Sequence, residues 1–239
     1  MKQIHHLIDG QMVESTSGRT SPVFNPATGQ QTGELALASV DEVDAAVASA
    51  QRAFEEWRSF SIARRTKLMF EYRNLVVDNA DEIAARLTAE HGTVLSDAGG
   101  EVARAIENIE FACGLAEHLK GSHSEMASTG VDVYSVRRPL GVVAGITPFN
   151  FPAMVPLWMI PNAIACGNTF VLKPSERDPS APMLIAELAQ EAGFPPGVLN
   201  VVNGDKVAVD RLLEHPDVKA LSFVGSTPIA KYVYETGTA

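Results

Sequence analysis

Cysteine is scarce in this sequence: Cys113 and Cys166 are the only two in 239 residues. Two distant thiols build no disulfide framework, and without a Cys-x-x-Cys pair or a His/Cys cluster there is no zinc site. A reducing cytoplasm fits this usage, and no metal is expected. Basic residues are also short, 19 Lys and Arg against 29 Asp and Glu, for a formal charge of -10. An acidic surface repels phosphate backbones, which argues against nucleic acid as a partner. The first ten residues include His5, His6 and Asp9 and lack the apolar run of an export signal. Charge vanishes altogether between Pro139 and Leu172, a run of 34 residues without Asp, Glu, Lys, Arg or His. The run is long enough for a bilayer. However, Pro148, Pro152, Pro156 and Pro161 each remove a backbone donor that lipid cannot replace, so it reads as the core of a soluble domain and no membrane is expected. What is present is ordinary globular composition, 46% hydrophobic and 20% charged. That usage excludes wholesale disorder, collagen-like sequence and coiled coil.

Periodicity divides the chain. Residues 1 to 38 alternate short apolar pairs with turn formers such as Asn25-Pro26-Ala27-Thr28-Gly29, predicting a small hairpin region. Ser39-Val40-Asp41-Glu42 reads as a capping box, followed by Val43, Ala46, Val47, Ala50, Phe54 and Trp57 at helical spacing. Ser61 caps a second predicted helix reaching about Val77. A third runs from Ala80 to Ala89, and a fourth from about Ser96 to Leu119 with Cys113 on its apolar face. Residues 121 to 130 read as a polar loop, and Val131 to Val136 as a strand. Beyond Gly141, strands at Val142 to Ile146, Phe170 to Leu172, Val198 to Val202 and Ala220 to Val224 alternate with helices near 153–166, 180–192, 206–214 and 227–236. Such a βαβ series predicts an α/β fold with a parallel sheet whose strand ends carry the ligand.

Four places carry candidate chemistry, each with a plainer alternative. Lys173-Pro174-Ser175-Glu176-Arg177 follows a strand and offers a cation and a carboxylate for sugar hydroxyls, or is a solvated loop. Gly225 and Ser226 open a helix, where free N–H groups receive phosphate, or Ser226 is an ordinary cap with Pro228 in the first turn. Asn150 sits in uncharged surroundings expected to be dry, where its amide is either a structural bracket or a donor aimed at a reacting oxygen. Arg104 lies off its helix's apolar stripe between Glu101 and Glu107, the arrangement of a surface ion pair. The dinucleotide fingerprint Gly-x-Gly-x-x-Gly is absent.

Five blocks nevertheless make a recognisable series: Thr147-Pro148-Phe149-Asn150-Phe151-Pro152, Cys166-Gly167-Asn168-Thr169, Lys173-Pro174-Ser175-Glu176, Ala192-Gly193-Phe194-Pro195-Pro196-Gly197 and Phe223-Val224-Gly225-Ser226-Thr227. In order and spacing they resemble the amino-terminal part of the aldehyde dehydrogenase superfamily. Val133-Tyr134-Ser135 before Arg138-Pro139-Leu140-Gly141, Met154-Val155-Pro156-Leu157-Trp158-Met159 and the run from Lys173 to Pro182 are most similar to the coenzyme A-acylating methylmalonate-semialdehyde dehydrogenases.

The resemblance implies a Rossmann-like NAD-binding fold. Residues 1–120 would supply its hairpin and helices, 121–139 an oligomerisation strand and 140–239 the βαβ part, with the catalytic domain absent. It implies oxidation of methylmalonate or malonate semialdehyde with NAD and coenzyme A, giving propionyl- or acetyl-coenzyme A, in a cytoplasmic homo-oligomer, dimer or tetramer. Asn150 becomes the oxyanion donor, Thr147 and Phe149 cofactor walls, Lys173 and Glu176 the ribose pair, Arg177 a contact at the adenosine end, and Gly225 with Ser226 the diphosphate turn. A carboxylate at the ribose favours NAD over NADP. Arg104 is assigned to the substrate's carboxylate. The family's nucleophilic cysteine, which forms a thiohemiacetal, lies downstream of the Gly-Ser-Thr turn, so the 239 residues alone are expected to be inactive. The alternatives are a non-acylating enzyme that yields a carboxylic acid, and a silent nucleotide-binding or assembly module.

Overall fold

The computed structural model describes residues 1–239. Three sheets organise the chain: one of six strands, one of three and a two-stranded ribbon. The large sheet carries the predicted series, with strands β8 (Val142–Ile146), β9 (Thr169–Lys173), β10 (Leu199–Val201) and β11 (Val218–Phe223), all parallel. Its spatial order places β11 beside β8, then β9 and β10. Each strand except β11 runs into a helix and returns: α6 (Met154–Ala165) between β8 and β9, α7 (Ser180–Glu191) between β9 and β10, and α8 (Lys206–Glu214) between β10 and β11. Helix α9 (Thr227–Gly237) follows β11.

The sheet is not parallel throughout. The amino-terminal strands β2 (His6–Ile8) and β3 (Gln11–Val13) form a hairpin that continues it antiparallel beyond β10. Strand β1 (Lys2–Ile4) instead joins β4 (Thr20–Asn25) and β5 (Gln30–Ala36) in the small sheet. The predicted hairpin region is therefore split between two sheets. Strands of three residues carry too little alternation to show which sheet they join.

Helices cover both faces of the large sheet. On one face lies α1 (Val40–Trp57), which opens on the predicted capping box: the Ser39 hydroxyl accepts from the Glu42 amide, and the Glu42 carboxylate accepts from the Ser39 amide at 2.7 Å. Val43, Ala46, Val47 and Ala50 of α1 pack with Ala208 and Leu212 of α8 against Val142, Ala144 and Val171. The opposite face holds α6 and α7, backed by α2 (Ile62–Asp78), α3 (Ala80–His91) and α4 (Leu95–Cys113) around one large apolar cluster. Trp57 bridges the two layers: it is fully buried, and its indole N–H donates to the Ile164 carbonyl at 3.1 Å. The uncharged run from Pro139 to Leu172 is thus β8, α6 and most of β9, and no helix is long and apolar enough to cross a membrane.

Two local readings change. The predicted helix from Ser96 to Leu119 is broken at Gly114 into α4 and a single turn, α5 (Leu115–His118). Gly114 adds no side chain to hold the helix, and its amide donates to Phe111, three residues back. The polar loop is in fact strand β6 (His123–Ser128), paired antiparallel with β7 (Val131–Tyr134). Every residue of this ribbon is exposed, so β6 has no buried face to imprint an apolar alternation on its sequence.

Candidate active site

The carboxyl ends of β8, β9 and β11 form one edge. Phe223 of β11 is in register with Ile146 of β8, which is in register with Lys173 of β9. The loops that begin at Thr147, Pro174 and Val224 therefore leave the sheet side by side. At roughly 4.8 Å per strand spacing, the outer two start about 10 Å apart, within the span of a dinucleotide. The ends of the 170s and the turn at residues 225 and 226 share this edge.

Lys173 is buried at 5% exposure, and its ammonium lies 3.1 Å from the Glu176 carboxylate. Burial opposes ionisation of Glu176, yet the adjacent Lys173 charge prevails and holds its carboxyl below the usual range, so the carboxylate stays ionised. Arg177 is exposed and its guanidinium sits 4.8 Å from the centre of the Phe149 ring, a cation–π contact. The Thr147 side chain is buried, and its hydroxyl oxygen has no partner within the chain. At the third loop, Ser226 occupies the N-cap position of α9 but makes no cap hydrogen bond, so the alternative of an ordinary serine cap is not what forms. The first amides of α9 are left open. A Cβ on Gly225 would stand 2.3 Å from the Phe223 ring, so a side chain here would have to push that ring aside.

Asn150 and Arg104 meet in a neighbouring open cleft of about 740 Å³, walled by Phe151, Met154 and Trp158. The expected dryness of Asn150 is not found: the residue is exposed, because the turn from Phe149 to Phe151 projects beyond the end of β8. Its amide makes no hydrogen bond within the chain, which removes the structural-bracket reading and leaves the donor free. The expected ion pair of Arg104 is also absent: no carboxylate lies within 4.0 Å of its guanidinium. Glu101 turns inward instead, accepting at one oxygen from the amides of Ala153 at 2.9 Å and Met154 at 3.0 Å.

A smaller hollow of about 420 Å³ lies between Arg177 and Phe149 on one side and Phe24 of β4 on the other, with Glu90 and Asp178 in its wall. Asp178 is 2% exposed and one of its oxygens has no partner. Burial, reinforced by Glu90, Glu101 and Glu176 and only partly offset by Ser175, pushes its carboxyl up to about 8.

Sequence reading missed Glu101 and Asp178. For Glu101 a signal existed, since it shares a stripe with Ala98, Ala105 and Ile109, and a carboxylate on an apolar stripe must have a partner. Asp178 gave no such signal, being one more charge in a charged loop.

Neither cysteine faces these clefts. Cys113 borders a separate hollow with Phe70 and Arg73, and Cys166 lies at the far end of α6. Burial raises both thiols above their ordinary range, a shift only partly opposed at Cys113 by Arg73 and at Cys166 by Arg65.

Comparison with known proteins agrees with this geometry. Residues 12–239 match the aldehyde dehydrogenase family model. A malonate-semialdehyde dehydrogenase of Pseudomonas aeruginosa is 54% identical over 238 residues, covering 100% of this chain and 48% of that protein. Among solved structures, a Sinorhizobium meliloti 1021 protein assigned as a methylmalonate-semialdehyde dehydrogenase and complexed with NAD superposes with a TM-score of 0.98 at 52% identity, over 100% of this chain and 48% of that one. The methylmalonate-semialdehyde dehydrogenase of Oceanimonas doudoroffii gives a TM-score of 0.97 at 56% identity, over 100% and 49%. The chain spans about half the length of the curated relatives it matches. With the βαβ edge, the family match and these superpositions in agreement, the chain belongs to the aldehyde dehydrogenase family.

Proposed function

We propose that this chain forms the nucleotide-binding half of an NAD-dependent dehydrogenase acting on a short aldehyde that also carries a carboxylate, methylmalonate or malonate semialdehyde. The observation that carries the reading is the shared cleft: an unpaired Arg104 and an unpaired Asn150 amide stand together beside the Lys173–Glu176 edge. A fixed cation suits the substrate's carboxylate, and a free amide donor suits a carbonyl oxygen that gains negative charge.

The edge fits NAD on its own chemistry. Lys173 and the ionised Glu176 are placed for ribose hydroxyls, and the carboxylate would repel a 2′-phosphate. Thr147 offers an orphan hydroxyl and Phe149 a flat wall, with Arg177 at the adenosine end. Gly225, Ser226 and the open amides of α9 would receive the diphosphate. NAD supplies a hydride acceptor when bound. Asn150 then stabilises the carbonyl oxygen, and Arg104 fixes the opposite end of the aldehyde.

The thiol that attacks the carbonyl in this chemistry is neither Cys113 nor Cys166, since both face elsewhere. Residues 1–239 by themselves therefore form no NADH. Coenzyme A as acyl acceptor, giving propionyl- or acetyl-coenzyme A, rests on the resemblance to the acylating enzymes, and thioester formation against release of free acid tests it. The exposed ribbon, with Met126, Val131, Val133 and Tyr134 uncovered, is proposed as the arm through which copies of the protein assemble.

The deciding experiment is Arg104→Leu in the whole active protein that carries this chain. KM for methylmalonate semialdehyde is expected to rise about 100-fold, while turnover of propanal, which lacks the carboxylate, stays within about twofold. An unchanged KM for the acidic aldehyde would remove Arg104 from the reading.

A further inference from the structure

Helix α6 begins without a cap of its own. Its N-cap residue is Ala153, which has no polar atom to offer the open amides of the first turn. The acceptor comes from another helix: Glu101 of α4, 8% exposed, takes the Ala153 and Met154 amides on a single oxygen at 2.9 and 3.0 Å. No side chain at position 153 could take these amides, because an N-cap oxygen accepts from the second or third helical amide, here Val155 and Pro156, and Pro156 has no N–H. Burying the Glu101 carboxylate carries a desolvation cost that the two hydrogen bonds it accepts offset. What the remote cap adds is a link between two helices. Arg104 stands three residues beyond Glu101 on α4, about 4.5 Å along the axis, and Asn150 three residues before Ala153 on the other side.

We propose that Glu101 is a positioning residue that sets the separation of Arg104 and Asn150 by clamping the first turn of α6 to α4. An aldehyde tethered by its carboxylate at Arg104 thereby presents its carbonyl oxygen to the Asn150 amide. The inference rests on the functional reading of those two residues and adds the part that holds them in register. It makes a claim that a purely structural cap does not: the separation matters only to a substrate that touches both ends.

The test uses the whole active protein, with methylmalonate semialdehyde and propanal as paired substrates. Glu101→Ala is expected to lower kcat/KM for the acidic aldehyde about 30-fold and for propanal less than about threefold, because a displacement near 1 Å is enough to misalign a tethered reactant. Glu101→Gln keeps an acceptor oxygen and rescues most of the loss. Amide hydrogen exchange at Ala153 and Met154 should quicken in Glu101→Ala and not in Glu101→Gln. If Glu101→Ala folds poorly, Glu101→Leu, which keeps the buried volume and removes only the acceptor, takes its place. The selective loss for the acidic aldehyde must then appear in Glu101→Leu, and its absence there overturns the proposal. Equal losses for both aldehydes, or none, overturn it as well. Asn150→Ala is the control for the underlying reading: if it turns over both aldehydes normally, the oxyanion role has failed, whereas its loss beside an unaffected Glu101→Ala refutes only the clamp.

Discussion

The units β8–α6 and β11–α9 have the same local grammar, a parallel strand, a short turn and a helix, yet they are packed very differently. Every residue of β8 is buried, and α6 buries Met154, Val155, Leu157, Ile160, Ile164 and Ala165. Strand β11 has no buried residue, and α9 buries only Val233. The difference lies in place. β8 has a strand on either side and helices on both faces, whereas β11 lies at the edge of the sheet that residues 1–239 form. Leu221, Phe223, Val233 and Tyr234 are left lining an open apolar groove between β11 and α9. Apolar content was therefore a poor guide to burial here, because position in the sheet decided it.

Substitutions that match one unit against the other test this directly. The largest effect is expected from Leu157→Ala in α6, fully buried, which should lose about 3 kcal/mol, while Tyr234→Ala in α9, 72% exposed, should stay within about 0.5 kcal/mol. Denaturant titration of the two variants measures both, and similar losses would erase the contrast. Next come the glycines. An added Cβ at Gly145 meets the Phe170 ring at 2.6 Å and the Met159 sulfur at 3.0 Å, and Phe170 is buried on every side. Gly145→Ala should lose about 2 kcal/mol, whereas Gly225→Ala, opposed by a half-buried Phe223 ring that can swing outward, should lose less than about 1 kcal/mol.

The smallest effect concerns the sheet edge that both units share. Asp178 titrates at about 8 in the fold because burial and its acidic neighbours favour the protonated form. Its folded value is raised above that of the unfolded chain, so its contribution to stability is complete below about pH 4 and is lost as pH rises towards 8. Asp178→Asn should flatten that decline and add about 1 kcal/mol at pH 8, measured as Tm against pH.

Legibility in the sequence followed the same division. The capping box at Ser39, the Ser61 cap and the βαβ series were readable, because local spacing and apolar periodicity cause them directly. Strand β6 was not, since a ribbon wet on both sides has no pattern to display. The antiparallel partners of β10 were not either, because a hairpin of three-residue strands does not encode which sheet it joins. Within the site, the grouping of Lys173, Glu176, Gly225 and Ser226 followed from strand order, which topology rules anticipate. The exposure of Asn150 and the inward turn of Glu101 depend on how far a loop projects and on which helix lies opposite. Spacing along one chain does not contain that information.

The two tryptophans divide the molecule's optical reporting between them. Trp57 is sealed in the interior with its N–H engaged, so its emission belongs at short wavelength and follows unfolding. Trp158 stands on the wall of the Arg104 cleft, 41% exposed, where an arriving molecule would strip its water and shift its spectrum. With Trp57→Phe the remaining fluorescence would read the cleft alone, and with Trp158→Phe it would read the interior alone. Occupancy and integrity can then be followed in one cuvette without a label.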